Sequence, residues 1–408
     1  MAKKAERNLI VGLDIGTSKV AALVGEVNAN GSIEVIGLGT CPSKGLKRGV
    51  VVNLESTVQS IQKAVEEAEL MAGCQIKSVF AGIAGSHIKS LNSHGIVAIK
   101  DKGEVTQYDI DRVIDSARAI AIPADQRILH ILPQKFVIDQ QEGIKDPIGM
   151  SGIRLEAKVH IVTGNVSALQ NITNCIRRCN LLVDDIVLEQ LASCYSVLTE
   201  DEKDLGVCLI DIGGGTTDIA IYVEGGLKHT AVIPIAGDQV TNDIAVALRT
   251  PTANAEEIKR KHACALTQMA AVDGVIEVPS IGDRAPRKIS TQSLSEIIEP
   301  RYAELLVLVE EELQHSGLKS MIRGGIVLTG GSSKVKGLVE LAEEILHKSV
   351  RVGGPEHVMG LSEVVKNPIY STAVGLLLYG KEHQAGNITD AGTSNLFEKI
   401  KNWLQGNL

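Results

Sequence analysis

The chain has 408 residues, 44% hydrophobic and 22% charged, a globular balance that sets disorder aside and allows two core-forming units or one large bilobed fold. A net charge of −8 and a pI near 5.8 argue against general nucleic-acid binding, which depends on Lys and Arg neutralising phosphates. Ten aromatics (Trp 1, Tyr 6, Phe 3) leave few stacking platforms for single strands.

Residues 1–8 are polar and basic, and Asp14 and Lys19 break the apolar stretch that follows. No signal peptide is read there. No run of about 18 apolar residues occurs, so no membrane span is expected and the chain is expected in the cytoplasm. Residues 9–14 and 19–24 read as two strands joined by a tight glycine turn, and residues 33–39 as a third. Residues 53–72 have the period of an amphipathic helix with Val58, Ile61, Val65, Ala68 and Leu70 as its apolar positions. Residues 76–84 return to a buried strand. From 85 to 163 the pattern is a small α+β insert: strands at 95–99, 128–139 and 153–162, and a helix from a Thr106 cap toward Ile120 with Asp109 and Asp111 in its first turns.

Residues 165–198 read as mostly helical. A second strand–turn–strand follows at 207–211 and 219–223, then helices near 238–248, 254–271 and 293–315. Residues 296–302 read as a helix start interrupted by Pro300. A buried strand at 326–329 ends in Gly330-Gly331, helices follow near 335–347 and 368–380, and residues 381–393 have linker composition. Seven scattered cysteines without a CxxC pair read as reduced thiols; Cys175 and Cys179, four apart on a predicted helix, read as core.

The chain contains an internal echo. Residues 13–20 (LDIGTSKV) resemble residues 210–217 (IDIGGGTT). Each segment follows an apolar strand, carries glycines and small hydroxyl residues, and leads into another apolar strand. Glycines let backbone N–H groups approach an anion closely, and hydroxyls add neutral donors. The aspartate beside each glycine turn would repel a triphosphate unless a divalent cation or its water lies between. One such turn alone reads as an ordinary hairpin. Two copies half a chain apart read as a duplicated fold that grips a nucleotide between its halves. A third segment, residues 326–333 (IVLTGGSS), places a glycine break between a strand and a helix, a common seat for an anion or ribose. No GxxxxGK[ST] occurs and no GxGxxG follows a strand, so Walker-type and dinucleotide-binding folds are excluded.

In this order and spacing the three segments resemble the two phosphate loops and the adenosine loop of the actin, Hsp70 and sugar-kinase superfamily. Residues 187–193 (VLEQLAS) and 370–378 (YSTAVGLLL) match its two connecting helices, whose small residues allow a close crossing. Within the superfamily the chain resembles the bacterial cell division family FtsA through residues 138–153 (IDQQEGIKDPIGMSGI), 196–202 (SVLTEDE), 296–302 (EIIEPRY) and the region from Leu338 onward. The likeness covers about residues 10–380 and the terminal segment. That family carries a subdomain, 1C, where the insert lies, and lacks the usual actin 1B.

The resemblance implies a bilobed actin-like, ribonuclease H-like α/β ATPase fold with an α+β insert and a C-terminal amphipathic helix. Subdomain 1A would comprise residues 1–84 and 164–204 with the connecting helix 368–380, 1C residues 85–163, 2A residues 205–236 and 306–367, and 2B residues 237–305. Residues 381–393 would be a flexible linker and 394–408 a membrane-targeting helix. Asp14 and Asp211 would hold Mg²⁺ through water. Gly16, Thr17, Ser18 and Lys19 would contact the β- and γ-phosphates of ATP, and Gly213, Gly214, Gly215, Thr216 and Thr217 would close on them from the other lobe. Gly237, Gly330, Gly331 and Ser332 would lie along the nucleotide, with Glu256 and Lys259 at the ribose and adenine. Glu189 would orient an attacking water, which with Asp14 and Asp211 permits at most a weak ATPase. Partners implied are a filament of identical copies, the C-terminal tail of FtsZ on 2B through Arg287 and Arg301, and later division proteins through 1C; nucleic acid is not among them. Arg301 has a second reading as a structural ion pair with Glu299 or Glu304.

Residues 394–408 (SNLFEKIKNWLQGNL) place Leu396, Phe397, Ile400, Trp403, Leu404 and Leu408 within an arc of about 140°, with Glu398, Lys399, Lys401, Asn402 and Gln405 opposite. A charged helix of roughly 22 Å cannot cross a bilayer but can lie in its interface. Two lysines attract anionic lipid weakly, so firm attachment would require many copies on one polymer. The reading is a peripheral tether of the FtsZ ring on the cytoplasmic face of the bacterial inner membrane at the division site. A sugar-type kinase and a pilus-assembly ATP-binding scaffold are the alternatives.

Overall fold

Apolar strands and amphipathic helices alternate along the chain, and in the computed structural model they build two lobes and an insert, each around its own hydrophobic cluster. The structure describes residues 7–100, 103–282 and 285–389.

The first lobe opens with β1 (Leu9–Ile15), β2 (Lys19–Val27) and β3 (Ile33–Pro42), an antiparallel meander, then a short hairpin of β4 (Leu46–Lys47) and β5 (Val50–Val51). Helix α1 (Leu54–Ala72) starts where the Asn53 side chain accepts the Ser56 N–H, and ends where Gly73 takes a left-handed φ of 60°. It buries Val58, Ile61, Val65 and Ala68, each larger side chain contributing about 1.5–3 kcal/mol. Leu70, expected on that face, is 85% exposed, because two residues past Ala68 is about 200° around the helix. β6 (Ser78–Ile83) then pairs parallel to β1.

The insert is a four-stranded sheet made of β7 (Lys89–Ala98), β8 (Gln126–Ile138), β9 (Gln141–Ile144) and β10 (Arg154–Asn165), in the order β7-β10-β8-β9. Across it lies α2 (Gln107–Arg118), whose Thr106 and Asp109 form a reciprocal capping box.

The chain returns through α3 (Val166–Arg178), β11 (Leu182–Leu188), α4 (Glu189–Val197) and α5 (Glu200–Leu205). Strand β11 corrects the helical reading of 165–198. Asp184 and Asp185 hide its strand pattern, and its partner is β6, about a hundred residues earlier, paired in parallel with a register shift after Val183.

The second lobe repeats the strand–turn–strand as β12 (Val207–Ile212) and β13 (Thr217–Val223), followed by β14 (Gly226–Ile233). Next come α6 (Gly237–Leu248), α7 (Thr252–His262), a hairpin of β15 (Val275–Val278) and β16 (Arg287–Ser290), and α8 (Thr291–His315). α7 ends at His262 rather than 271, since Ala263 turns extended and only a short 3₁₀ turn follows at Thr267–Met269. α8 runs without interruption through Pro300, contrary to the break expected there. Burial of Leu294, Ile298, Tyr302, Leu305, Leu306, Val309 and Leu313 outweighs the roughly 3 kcal/mol cost of an interior proline. β17 (Ile326–Thr329), α9 (Leu338–Leu346) and β18 (Val350–Val352) complete a sheet of order β14-β13-β12-β17-β18.

Finally β19 (Val358–Met359) joins the first lobe's sheet, order β11-β6-β1-β2-β3-β19, and α10 (Ser362–Val365) and α11 (Ser371–Thr389) follow. Residues 381–389, read as linker, continue α11. Tyr379 and His383 stack 3.8 Å apart one turn from each other, and Tyr379 Oη donates to Asp185, which anchors this end. The terminal amphipathic segment, residues 394–408, lies outside the described residues.

Candidate functional site

The site is made by two hairpin turns and one strand–helix turn. In β1/β2 the register ends at Ile15 opposite Val20, leaving Gly16, Thr17 and Ser18 to close the turn with Gly16 N–H donating to Lys19 O at 3.0 Å. In β12/β13 it ends at Ile212 opposite Thr217, and Gly213 N–H donates to Thr216 O at 3.0 Å. The same local chemistry therefore builds the same turn in each lobe, and the two meet face to face. A Cβ on Gly214 would lie 1.7 Å from Ser18 Oγ, and one on Gly215 2.6 Å from Thr17 Oγ1. Only glycine permits that approach. Asp238 bridges the pair: its N–H donates to Gly214 O at 2.8 Å and its carboxylate bonds Ser18.

The third segment meets them from β17. Gly330 has φ +84°, and a Cβ there would lie 2.3 Å from Asp211 Oδ1. Ser332 Oγ donates to Gly213 O at 3.1 Å, and Gly237 N–H donates to the same carbonyl at 3.2 Å. Lys259 Nζ donates to Gly237 O at 2.9 Å and to Thr241 Oγ1 at 2.8 Å, and pairs with Glu256 at 2.7 Å. Gly213, Gly237, Glu256, Lys259, Gly330, Gly331 and Ser332 thus gather beside the double turn.

Carboxylates converge on the same place. Asp14 pairs with Lys19 at 2.8 Å, and the Lys19 ammonium also lies 5.4 Å over the Tyr370 ring. Asp211 Oδ2 accepts from Ser193 Oγ at 2.7 Å and Thr372 Oγ1 at 3.4 Å. Burial pushes its carboxyl up to about 6, with Asp14 adding to the rise and the Ser193 hydroxyl and Lys19 opposing it. Glu189, the first residue of α4, keeps part of its surface accessible. Its carboxyl is nonetheless held well above the usual range, first by burial and then by Asp14, Asp218 and Asp211. Carboxyls raised together in one place make this the candidate functional site.

Asp218 was not among the residues singled out from the sequence. It is 4% exposed on β13, where every residue of TDIAIYV is buried. Thr216 Oγ1 donates to its Oδ2 at 3.0 Å, its Oδ1 has no hydrogen-bond partner among the described residues, and burial followed by Asp211 raises its pKa. The available signal was an acidic residue at the head of an otherwise fully apolar strand. Ser193 and Thr372, the hydroxyls on Asp211, sit on the two helices read as crossing closely, and they do cross closely: a Cβ on Gly375 of α11 would lie 1.8 Å from Ala192 O of α4.

The two arginines expected at the FtsZ tail both have partners within the chain. Arg301 is spent on an ion pair with Asp243 of α6, Nε to Oδ2 at 2.6 Å and Nη2 to Oδ1 at 3.1 Å, and on Glu304. That is the structural reading, with Asp243 as the partner the sequence did not suggest. Glu299 instead accepts from Thr267 N–H at 2.6 Å. Arg287 donates to Leu248 O at the end of α6. Beside them is a groove of about 730 Å³ lined by Asn242, Val246, Arg249, Thr250, Thr252 and Ile281, among others.

Two lobes carrying duplicated turns, joined by two crossing helices, define an actin-like ATPase fold. The solved structures agree: the chain superposes on the PilM–PilN type IV pilus biogenesis complex with a TM-score of 0.67 at 19% identity, over 92% of this chain and 99% of that one. It also superposes on MreB5 of Spiroplasma citri bound to ADP, with a TM-score of 0.57 at 15% identity, over 94% and 99%. The chain belongs to the cell division protein FtsA family. It is 63% identical over the full length of both chains to the cell division protein FtsA of Pseudomonas aeruginosa, and 47% identical over 99% of both to that of Escherichia coli. The family profile "Cell division protein FtsA" matches residues 208–375, and "SHS2 domain inserted in FTSA" matches residues 85–163, the insert. The chain is thus a cell division protein.

Proposed function

We propose that this cell division protein binds ATP with Mg²⁺ between its lobes, assembles into filaments, and tethers FtsZ to the cytoplasmic membrane at the division site. The observation that carries the nucleotide reading is the contact of Gly214 and Gly215 with Ser18 and Thr17. Two N–H-rich turns from different lobes meet where a phosphate chain would be clasped from both sides. The donor set suits ATP. Lys19 supplies charge, Thr17, Ser18 and Thr216 supply hydroxyls, and Gly330, Gly331 and Ser332 leave a glycine-walled face for the adenosine. Among the described residues no group of three His, Cys, Asp or Glu side chains could hold a metal by itself. Mg²⁺ would therefore be held by phosphate oxygens and water, with Asp14, Asp211 and the unpartnered Asp218 oxygen accepting from that water. When bound it would neutralise charge on the phosphates. Glu189 would orient a water, and turnover would be weak.

Membrane attachment rests on the apolar arc of Leu396, Phe397, Ile400, Trp403, Leu404 and Leu408. No described helix is long and apolar enough to cross a membrane. The FtsZ tail would lie in the groove lined by Arg249, next to Arg287 and to Arg301, which pairs with Asp243. The full-length FtsA relatives set the kinase reading aside, and the pilus protein shares the fold alone. Calorimetry with ATP and Mg²⁺ tests the nucleotide site. A Cβ on Gly331 would make only an ordinary contact, 3.5 Å from Ile369 Cγ2, so Gly331→Leu should fold normally yet lose at least ~100-fold in affinity, about 2.7 kcal/mol. Unchanged affinity would remove the adenosine assignment.

A further inference from the structure

The β4–β5 hairpin joins the first phosphate turn to the root of the insert. Its register pairs Lys47 with Val50, leaving Arg48 and Gly49 as a two-residue turn with φ of +50° and +75°. That is the left-handed pair of a type I′ hairpin, an uncommon conformation for arginine. Gly49 N–H donates to Thr17 Oγ1 at 3.1 Å. Thr17 uses its oxygen as the acceptor there, so its own O–H proton is left to point elsewhere, and the same side chain abuts Gly215 of the other lobe. On its other side Gly49 rests on the end of β6: a Cβ would lie 2.7 Å from Ala84 O and 3.0 Å from Gly85 Cα.

Gly85 has φ +127°, and a Cβ on it would lie 3.3 Å from Arg48 O and 2.8 Å from His87 Nδ1. Ile88 N–H then closes a turn on Gly85 O at 3.0 Å, and β7 begins. Both ring nitrogens of His87 are buried without a hydrogen-bond partner among the described residues. The ring is held by packing alone, so displacing it breaks no hydrogen bond. The hairpin's base is fixed: Val52 and Asn53 N–H groups both donate to Gly45 O, and Ser43 N–H donates to Ser18 O. Movement of the phosphate turn therefore reaches the hairpin tip, and through the tip Ala84 and Gly85, which rests against His87.

A few residues further on, the insert is held by the second lobe. Ser90 Oγ donates to Thr230 O at 3.1 Å, Asn92 Nδ2 to Lys228 O at 3.1 Å, Gln134 Nε2 to Leu227 O at 2.9 Å, and His160 meets Thr230 Oγ1 at 3.1 Å. The insert is thus held near its root on two sides, by a joint beside one phosphate turn and by a latch on β14.

We propose that Gly49 and His87 transmit occupancy of the first phosphate turn to the insert, so that nucleotide binding resets the insert's pose on β14. This rests on the nucleotide reading above. Recruiting the Thr17 hydroxyl to a phosphate shifts its bond to Gly49, the hairpin tip pushes on Ala84 and Gly85, and the unlatched His87 ring yields. A two-position element biased by a ligand is what coupling between separate sites requires.

The test is hydrogen–deuterium exchange of the full chain with and without ATP and Mg²⁺, beside calorimetry on the same samples. In the native sequence ATP should alter exchange in residues 85–98 and 226–233 as well as in the phosphate turns. His87→Ala, at a ring that makes no hydrogen bond, should still bind ATP but lose most of the response in 85–98. Gly49→Ala, compared at saturating ATP, should lose it too. ATP binding that leaves 85–98 unaltered in the native sequence overturns the proposal. So does an undiminished insert response in either folded variant, which would route the signal through β14 alone. Absence of any ATP heat would remove the nucleotide reading itself, and this proposal with it.

Discussion

His160 shows how one buried side chain sets a pH response. It is 1% exposed between the insert and the second lobe. Asn92 Nδ2 donates to Lys228 O, so Asn92 Oδ1 is the acceptor for His160 Nδ1–H at 2.9 Å, and Nε2 accepts from Thr230 Oγ1. Burial, then His229 and Lys228, push its pKa down to about 4 from an ordinary 6.5. The native state therefore binds fewer protons than the unfolded chain between pH 4 and 6.5. Stability contributed by neutral His160 is complete above pH 6.5 and is lost as pH falls toward 4, by roughly 3 kcal/mol. Thermal melts from pH 7.5 to 4.5 should fall more steeply for the native sequence than for His160→Gln; parallel slopes would show that other groups carry the acid sensitivity. At Arg301 charge reversal should act on stability. Arg301→Glu places an acid against Asp243 and Glu304 and should cost about 1–3 kcal/mol by denaturant melts. Arg249→Glu, on the groove, should leave stability alone and weaken binding of an FtsZ tail peptide in a fluorescence titration. Equal affinities for native and Arg249→Glu chains would clear the groove of that role.

At the scale of elements, glycines decide where helices can lie. Gly37 and Gly39 of β3 accept α1 so closely that a Cβ on Gly39 would lie 1.9 Å from Ala64 O. Gly375 does the same for α11 on α4, at 1.8 Å from Ala192 O. That crossing places Ser193 and Thr372 on Asp211, so it serves the site as well as the core. Gly375→Ala should cost about 1–3 kcal/mol through forced separation of the helices, and ATP affinity should fall with it. Gly73, with nothing within 4 Å of a Cβ, is the control: Gly73→Ala costs only its left-handed conformation, roughly 1 kcal/mol. Urea melts of the two variants should rank them in that order, and equal losses would mean that the α4–α11 contact is not tight in solution. α8 makes the complementary point. Proline inside a helix is tolerated where seven large side chains are buried along the same face.

For the whole molecule, the proposed membrane attachment has to be made without a described helix long and apolar enough to cross a membrane. α11 ends at Thr389, close in sequence to the amphipathic segment 394–408. As proposed, one short segment with two lysines would bind lipid weakly, whereas a filament would present many such segments. Trp403→Glu should therefore release the protein from anionic vesicles in cosedimentation while leaving ATP binding unchanged by calorimetry. A filament-deficient variant with an intact terminal segment should also sediment poorly. Full sedimentation of Trp403→Glu would mean that the segment is not the anchor, and full sedimentation of the filament-deficient variant would leave the anchor but remove avidity as its strength.

Local chemistry made much of this legible beforehand. The two glycine turns, the cap at Thr106 and the insert between 85 and 163 depend on residues near one another in sequence, where turn geometry and periodicity act directly, and the close helix crossing was implied by the family resemblance. Asp14 and Asp211 stood out as aspartates beside glycine turns at strand ends, and Glu189 was singled out only through the family resemblance. Strand β11 could not, because its pattern is broken by two aspartates and its existence depends on pairing with β6. Pro300 and the helical course of 381–389 likewise turned on burial and on the contact of Tyr379 with Asp185, neither of which is visible to a local window. The pairing of Arg301 with Asp243, the orphaned oxygen of Asp218, and the contact of Gly49 with both Thr17 and Ala84 join residues far apart along the chain. Composition and periodicity specify which segments can bury a face. Which distant side chains then share a low-dielectric space, and so which charges are paired or shifted, is settled only when the lobes pack.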